Sequence, residues 1–334
     1  MNIEYPSPKQ EYKVLVRCFT FNQSRYIEDA LNGFALQKTN FPFVCLVMDD
    51  ASTDGEQAVI KAWMERECDM SRTEAIDIPT SVVFIVPHKT NSSCLFAFYF
   101  LKQNLFKAYE EKMKHVYPWR MKCEYEAICE GDDYWIDSSK LQKQVDYLEE
   151  HKDIGMCYTS VMQYDQEKRQ FICNNWGGPY VTFQEFMRNN TVPTLSALFR
   201  TELEIKYLNE VSPYSQTWPL GDYPRWIYFS RNSNIAFIND VTGVYRILKN
   251  SAYHGNYDHM VNFTKGSNEM LYFFAVKYGY DVNIILDRKN RSLFTLATRY
   301  RKHNDAAVYF SQIRKKTIKD YIKRYFYFIL KKTN

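Results

Sequence analysis

Phe43-Val44-Cys45-Leu46-Val47-Met48-Asp49-Asp50-Ala51-Ser52-Thr53-Asp54 sets six apolar residues against an abrupt polar stop. A continuous apolar run closed by turn-forming residues marks a strand buried on both faces. The pattern recurs along the chain. Lys13-Val14-Leu15-Val16-Arg17-Cys18-Phe19 reads as a first strand, Ser81–Val86 as a third, and Glu126-Ala127-Ile128-Cys129 as a fourth. The fourth runs into Glu130-Gly131-Asp132-Asp133-Tyr134-Trp135. Helical stretches separate these strands. Arg25–Gln37 puts Ile27, Ala30, Leu31, Phe34 and Ala35 on one stripe, Glu56–Glu67 follows, and a long helix is expected from about Ser93 to Met113. Ser138–His151 opens on an Asp/Ser cap. Strands alternating with helices at this rhythm imply a mostly parallel sheet covered on both faces. Further strands are expected near Ile154–Met162, Thr194–Arg200 and Ile235–Ile238, with a helix starting at Asp222. From Tyr257 onward the pattern is almost wholly helical.

Bulk properties narrow the function classes. Apolar residues make up 46% and charged residues 25%, the balance of a globular enzyme. The formal charge of +4, from 43 basic and 39 acidic residues, is too small a surplus to argue for a nucleic-acid partner. The eight cysteines never fall as C-x-x-C, and several lie in apolar runs such as Ala127-Ile128-Cys129. That is the pattern of reduced, buried thiols in a reducing compartment. The stretch Met1–Lys13 is polar and unlike a signal peptide, and no stretch approaches the ~20 apolar residues that span a bilayer. A cytoplasmic location is expected.

Both acidic clusters fall at the carboxyl ends of strands, where α/β sheets collect ligands. Asp132 and Asp133 sit in a tight Gly-containing turn. There, one carboxylate can meet a hard divalent cation and the other a ribose, although a solvated turn before a helix would carry the same residues. Asp50 can accept the N3–H of a uracil-like base, or simply belong to a turn in which Ser52 or Asp54 caps the next helix.

Several separated motifs, in order, then narrow the choice. Thr20-Phe21-Asn22 with Tyr26-Ile27, Ala30-Leu31 and Gln37, followed by Asp49–Gly55, resembles the opening of family-2 glycosyltransferases. Glu130–Trp135, followed by Lys140-Leu-Gln-Lys-Gln-Val-Asp-Tyr-Leu148, resembles the metal-site segment of a bacterial surface-polysaccharide branch of that family. The resemblance resumes at Thr194–Arg200, at Gly221-Asp222-Tyr-Pro-Arg-Trp226 and at Val244-Tyr245-Arg246. It implies an α/β fold of the GT-A nucleotide-diphospho-sugar transferase type over residues 11–252, with a helical C-terminal extension over 253–334. It further implies that Phe19, Thr20 and Phe21 line the nucleotide pocket and that Asp50 binds the base. Asp132 would contact the ribose or sugar, Asp133 would ligate Mn²⁺ or Mg²⁺, and Asp222 would be the catalytic base. Without the resemblance, Asp222 reads as a helix cap. The implied activity is inverting transfer from a nucleotide-sugar donor, a UDP-sugar favoured, to a saccharide or lipid-linked saccharide acceptor. A non-catalytic nucleotide-sugar-binding relative is the alternative.

Departures from the family pattern bear on the donor. Tyr245-Arg246-Ile247-Leu248 lacks the histidine that usually ends this motif, with His254 as a substitute candidate. Arg17-Cys18-Phe19 replaces the usual apolar residue, Pro and Thr, and Asn91-Ser92-Ser93-Cys94 lacks the usual glycine. The C-terminal stretch interleaves eight basic residues, Arg314 to Lys332, with Ile318, Tyr321, Ile322, Tyr325, Phe326, Phe328, Ile329 and Leu330. Such a basic amphipathic helix suits either the inner face of a membrane, as a peripheral contact, or packing on its own protein. A sugar-nucleotide pyrophosphorylase would need an early Gly-rich loop with Arg and Lys, and a dehydrogenase G-x-G-x-x-G after the first strand. Thr20-Phe-Asn-Gln23 is neither.

Overall fold

A computed structural model describes residues 4–106, 108–214, 217–249 and 255–329. In chain order the elements begin β1 (Tyr12–Thr20), α1 (Ile27–Ala35), β2 (Phe43–Asp49), α2 (Glu56–Glu67), β3 (Glu74–Ile78) and β4 (Ser81–Pro87). Then come β5 (Cys94–Leu101), α3 (Tyr109–Arg120), β6 (Cys123–Ile128), β7 (Tyr134–Trp135), α4 (Lys140–Glu150), β8 (Ile154–Asp165) and β9 (Gln170–Trp176). They are followed by α5 (Phe183–Phe186), β10 (Leu198–Arg200), α6 (Thr201–Glu210), α7 (Tyr223–Asn232) and β11 (Asn234–Ile247). The last helices are α8 (Tyr257–Tyr278), α9 (Val282–Arg299), α10 (His303–Gln312) and α11 (Ile318–Ile329). The chain divides into two units, Met1–Leu208 with Phe229–Leu248, and Asn209–Tyr228 with Lys249–Asn334.

The first unit is built on an 11-stranded sheet in the order β3-β4-β5-β2-β1-β6-β10-β8-β11-β7, with β9 paired to β8. Its centre, β5-β2-β1-β6, is parallel, and antiparallel pairs flank it. The alternation along each central strand explains the layers. Val14, Val16, Phe43, Cys45 and Val47 face one side, where α1, α2 and α4 bury Phe34, Trp63 and Leu141. Leu15, Val44, Leu46 and Met48 face the other, where α3 supplies Val116 and Trp119. Each such side chain contributes roughly 1.5–3 kcal/mol on burial. This is the α/β arrangement of the GT-A fold, with parallel strands ending at one edge.

The expected helix from Ser93 to Met113 is not one element. Cys94–Leu101 is the central strand β5, and the helix starts only at Tyr109. Cys94, Phe96, Phe98 and Phe100 join one core layer, while Ala97, Tyr99 and Leu101 join the other. A strand buried on both faces has no polar positions to reveal its period of two. Strands β3 and β9, which the sequence did not suggest, flank the sheet, and β11 runs far beyond Ile238 to Ile247.

In the second unit, Asn256 caps α8 by accepting from the His259 N–H at 2.9 Å, and Gly279 ends it at φ 71°. That backbone conformation favours glycine. Phe294, Ala297, Ala306, Phe310 and Ile313 form the core among α9, α10 and the segment after it. Among the described residues, no helix is long and apolar enough to cross a membrane.

Candidate active site

Strands β1, β2 and β6 end side by side, and the loops beyond them are laced together. The Asp50 N–H donates to the Thr20 carbonyl at 3.0 Å, and the Gly131 N–H to the Phe19 carbonyl at 3.2 Å. A Cβ on Gly131 would stand 2.3 Å from Thr20 Oγ1 and 2.6 Å from Gln23 Oε1. Only glycine allows the acidic turn to approach β1 so closely. Across the first two loops, the Asn22 N–H donates to Ser52 Oγ at 2.9 Å, and the Thr53 N–H to Asn22 Oδ1 at 2.8 Å. Thus Phe19, Thr20, Phe21, Asp50, Asp132 and Asp133 are brought to one edge of the sheet.

Their environments differ. Thr20 is buried and its hydroxyl bonds both Glu56 and Gln23. Glu56, which the sequence offered only as the start of α2, is wholly buried and also accepts from the Gln23 N–H at 2.9 Å. Burial pushes its carboxyl above the usual range, against the pull of these bonds. Phe21 is exposed. Phe19 has two cations over its ring, Arg17 at 4.8 Å and Lys112 at 5.2 Å from the ring centre. Asp50 accepts from the Leu105 N–H at 2.6 Å and from Lys112 Nζ at 2.5 Å. Both of its oxygens therefore already have partners in the protein. Asp49 is buried beside it, and its Oδ2 has no hydrogen-bond partner among the described residues.

The acidic turn is clamped from β11. Val244 pairs with Tyr134, which delivers Arg246 to the turn. The Arg246 N–H donates to Asp133 Oδ1 at 2.8 Å, and its Nε to the Asp132 carbonyl at 2.8 Å. A further guanidinium nitrogen binds Asp29 on α1, and the group packs over Tyr134 and Tyr26 at 4.7 and 5.1 Å. Burial pushes the Asp133 carboxyl well up, and the neighbouring Asp132 charge adds to it. Burial also raises Asp132, against the Arg246 charge and a hydrogen bond with Gln23. Asp133 is buried, Asp132 half-buried and Glu130 exposed.

Among the described residues, no three His, Cys, Asp or Glu form a metal cage by themselves. The donor set suits a hard cation of another kind, held by one or two carboxylates and completed by phosphate oxygens and water. Burial raises both carboxyls and the Asp132 charge raises Asp133 further, and a bound cation would favour their charged forms.

Asp222 lies in the second unit, at the head of α7. Its carbonyl accepts from the Arg225 N–H at 2.9 Å, and its Oδ1 from the Tyr223 N–H at 2.7 Å. His254 falls outside the described residues.

No family model matches the chain. Among curated proteins, the uncharacterized proteins Mb1547 of Mycobacterium bovis and Rv1520 of Mycobacterium tuberculosis are each 28% identical to it over 245 residues. The match covers 71% of this chain, and the chain spans only 60% of the relatives' length. Among solved structures, S. aureus TarS 1–349 aligns with a TM-score of 0.51 at 15% identity, over 93% of this chain and 77% of that one. The mannosyltransferase PcManGT of Pyrobaculum calidifontis, in complex with GDP-Man and Mn²⁺, aligns with a TM-score of 0.51 at 15% identity, over 96% and 81%. At such identities the likeness is one of fold.

Proposed function

We propose that the protein is an inverting glycosyltransferase that moves a sugar from a nucleotide-sugar donor, a UDP-sugar by preference, to a saccharide or lipid-linked saccharide acceptor in surface polysaccharide synthesis. The observation that carries this is the clamped acidic turn at the end of β6, beside the ends of β1 and β2. A shared fold with a mannosyltransferase that binds GDP-Man and Mn²⁺ supports it. In this proposal Phe19, Thr20 and Phe21 line the nucleotide side. Asp50, held by Lys112 and the Leu105 N–H, fixes the wall at the base end. Asp133, anchored by the Arg246 N–H, ligates the cation, and the half-buried Asp132 contacts the ribose or sugar. A bound Mn²⁺ or Mg²⁺ there would supply the positive charge that a departing diphosphate needs. Asp222 takes the proton from the acceptor hydroxyl, which attacks the anomeric carbon opposite the diphosphate.

Asp222→Asn tests the assignment against a binding-only protein. Asn caps a helix as well as Asp does, so the melting temperature and Mn²⁺-dependent UDP affinity should persist. Single-turnover transfer should fall by roughly 10²-fold or more. A variant that transfers at the wild-type rate removes Asp222 from the mechanism, and a wild type that binds donor without any transfer leaves only the binding-protein alternative.

The tail supports a second, smaller part of the proposal, contact with an anionic membrane surface. Asp320 ties α11 down by accepting from Arg291 Nε at 3.1 Å and from the Thr317 N–H at 2.7 Å. Ile318, Tyr321, Ile322 and Tyr325 remain exposed beside the basic residues. Removing residues 311–334 should reduce co-sedimentation with anionic liposomes. Full-length protein that stays in the supernatant at low salt would refute the contact.

A further inference from the structure

One hollow in the first unit is left over by the donor site. Arg25, Tyr26, Gln166, Glu167, Arg169 and Arg246 line a cavity of about 390 Å³. Its walls come from the residues before α1, from the turn joining β8 to β9, and from β11. Neither Asp132, Asp133, Thr20 nor Asp50 lines it. Arg25 and Arg169 are exposed, and neither forms an ion pair or hydrogen bond among the described residues. Arg246 is nearly buried and spends its donors on Asp29, on the Asp132 carbonyl and on Gln166 Oε1, the last at 3.2 Å.

Arg246 is already paired with Asp29, so two guanidinium groups without an ion-pair partner, Arg25 and Arg169, share the hollow with a single lining carboxylate, Glu167. Like charges gathered this way repel unless an anion comes between them. The planar guanidinium fork matches two oxygens of a phosphate and forms charge-assisted hydrogen bonds to them. The cavity is also too large for a lone ion and falls within the size range of organic ligand sites.

We propose that this hollow is a phosphate-binding subsite separate from the cation site, and that it takes a phosphate group carried by the acceptor. That it serves an acceptor rests on the glycosyltransferase proposal; that it binds phosphate does not. Free inorganic phosphate presents the same chemistry, and the test separates the two sources.

The experiment uses the full chain in EDTA, at fixed ionic strength, with inorganic phosphate and glycerol 1-phosphate as calorimetric probes. Wild type should bind phosphate, and Arg25→Gln/Arg169→Gln should weaken that binding about tenfold or more. Both side chains are exposed, so the melting temperature should not move. Mn²⁺-dependent UDP affinity should stay within about twofold, because neither arginine touches the acidic turn. An ester that binds as well as inorganic phosphate identifies an acceptor-borne group, whereas binding of inorganic phosphate alone overturns the acceptor assignment. The subsite itself is overturned if wild type binds no phosphate in EDTA or if the variant binds it equally well. It is also overturned if UDP affinity falls in step with phosphate affinity, which would merge the hollow with the donor site. Failure of both proteins to bind UDP with Mn²⁺ would instead count against the glycosyltransferase proposal and leave the phosphate result readable.

Discussion

Strand β6 carries one buried carboxylate in its body and delivers two more in the turn that follows, and the protein treats them in opposite ways. Glu126 is fully buried, yet it accepts from Arg17 Nε at 2.7 Å and from Arg120 Nε at 2.7 Å. Burial alone would raise its carboxyl, but Arg120 and Arg17 outweigh that and hold it at about 2. Arg120 also lies 3.7 Å from Glu204, which balances the second positive charge. At the turn, burial and the charge of its neighbour raise the Asp133 carboxyl, and the nearest cation, Arg246, gives its Nε to a backbone carbonyl and another nitrogen to Asp29. A carboxylate fully paired inside the protein has nothing left for a ligand. Strongly perturbed carboxyls of this kind cluster at functional sites. The structural cluster thus lies in the sheet, and the raised pair lies at its edge.

The largest expected effect breaks the second region. Asp132→Asn/Asp133→Asn removes both charges while keeping size, and should lower sugar transfer by roughly 10³-fold or more, with loss of Mn²⁺-dependent UDP binding. In EDTA the variant should melt at or above the wild-type temperature, since it loses repulsion and no ion pair. A large fall in melting temperature would show the turn to be structural.

Glu126→Gln breaks the first region and should do the reverse. It leaves Arg17 and Arg120 buried with Glu204 as the remaining carboxylate, a change that costs roughly 3–5 kcal/mol in comparable sites. Urea unfolding would register it, and metal-dependent UDP affinity of the folded fraction should be unchanged. The sign of the pH dependence follows from the lowered carboxyl. The unfolded chain takes up the proton first, so the stabilisation is fully present above an ordinary value of 4.5 and is lost as the pH falls towards about 2. The variant should lose less stability than wild type across that window. Parallel acid profiles would exclude Glu126 as its source.

The same contrast accounts for what the sequence disclosed. The acidic turn was legible because its position after an apolar strand is a local pattern, and β2 was legible for the same reason. Arg17 looked like a departure from the family because its partner Glu126 stands 109 residues away on the neighbouring strand. Arg246 was visible as part of a motif, but its grip on Asp133 spans 113 residues and has no local signature. Glu56 passed as an ordinary first helical residue, and only the approach of α2 to β1 makes it the partner of Thr20. The helix expected over Ser93–Met113 failed because the apolar and aromatic run of β5 suits a buried helix and a buried strand alike.

The smallest expected effect asks how firmly the clamp must hold. Asp29 is about half exposed, with 52% of its side chain accessible, whereas its partner Arg246 is only 7% exposed. An ion pair with one partner so exposed is worth little, on the order of 0–1 kcal/mol, so Asp29→Asn should barely move the melting temperature. Asn keeps the size and an acceptor oxygen, so Arg246 need not leave the turn. What weakens is the anchor that fixes the guanidinium, and through it the Asp132 carbonyl that accepts from Nε. If Arg246 is a positioning residue, Mn²⁺-dependent UDP affinity should fall by roughly two- to fivefold, the scale of supporting contacts around a metal site or below it. Asp29→Glu should recover part of the loss, since it restores the charge at a longer reach. If the clamp only packs the turn, both variants should bind UDP as wild type does. Calorimetric titration at saturating Mn²⁺, beside melting curves of all three proteins, separates these outcomes, because packing alone has no route to affinity that bypasses stability.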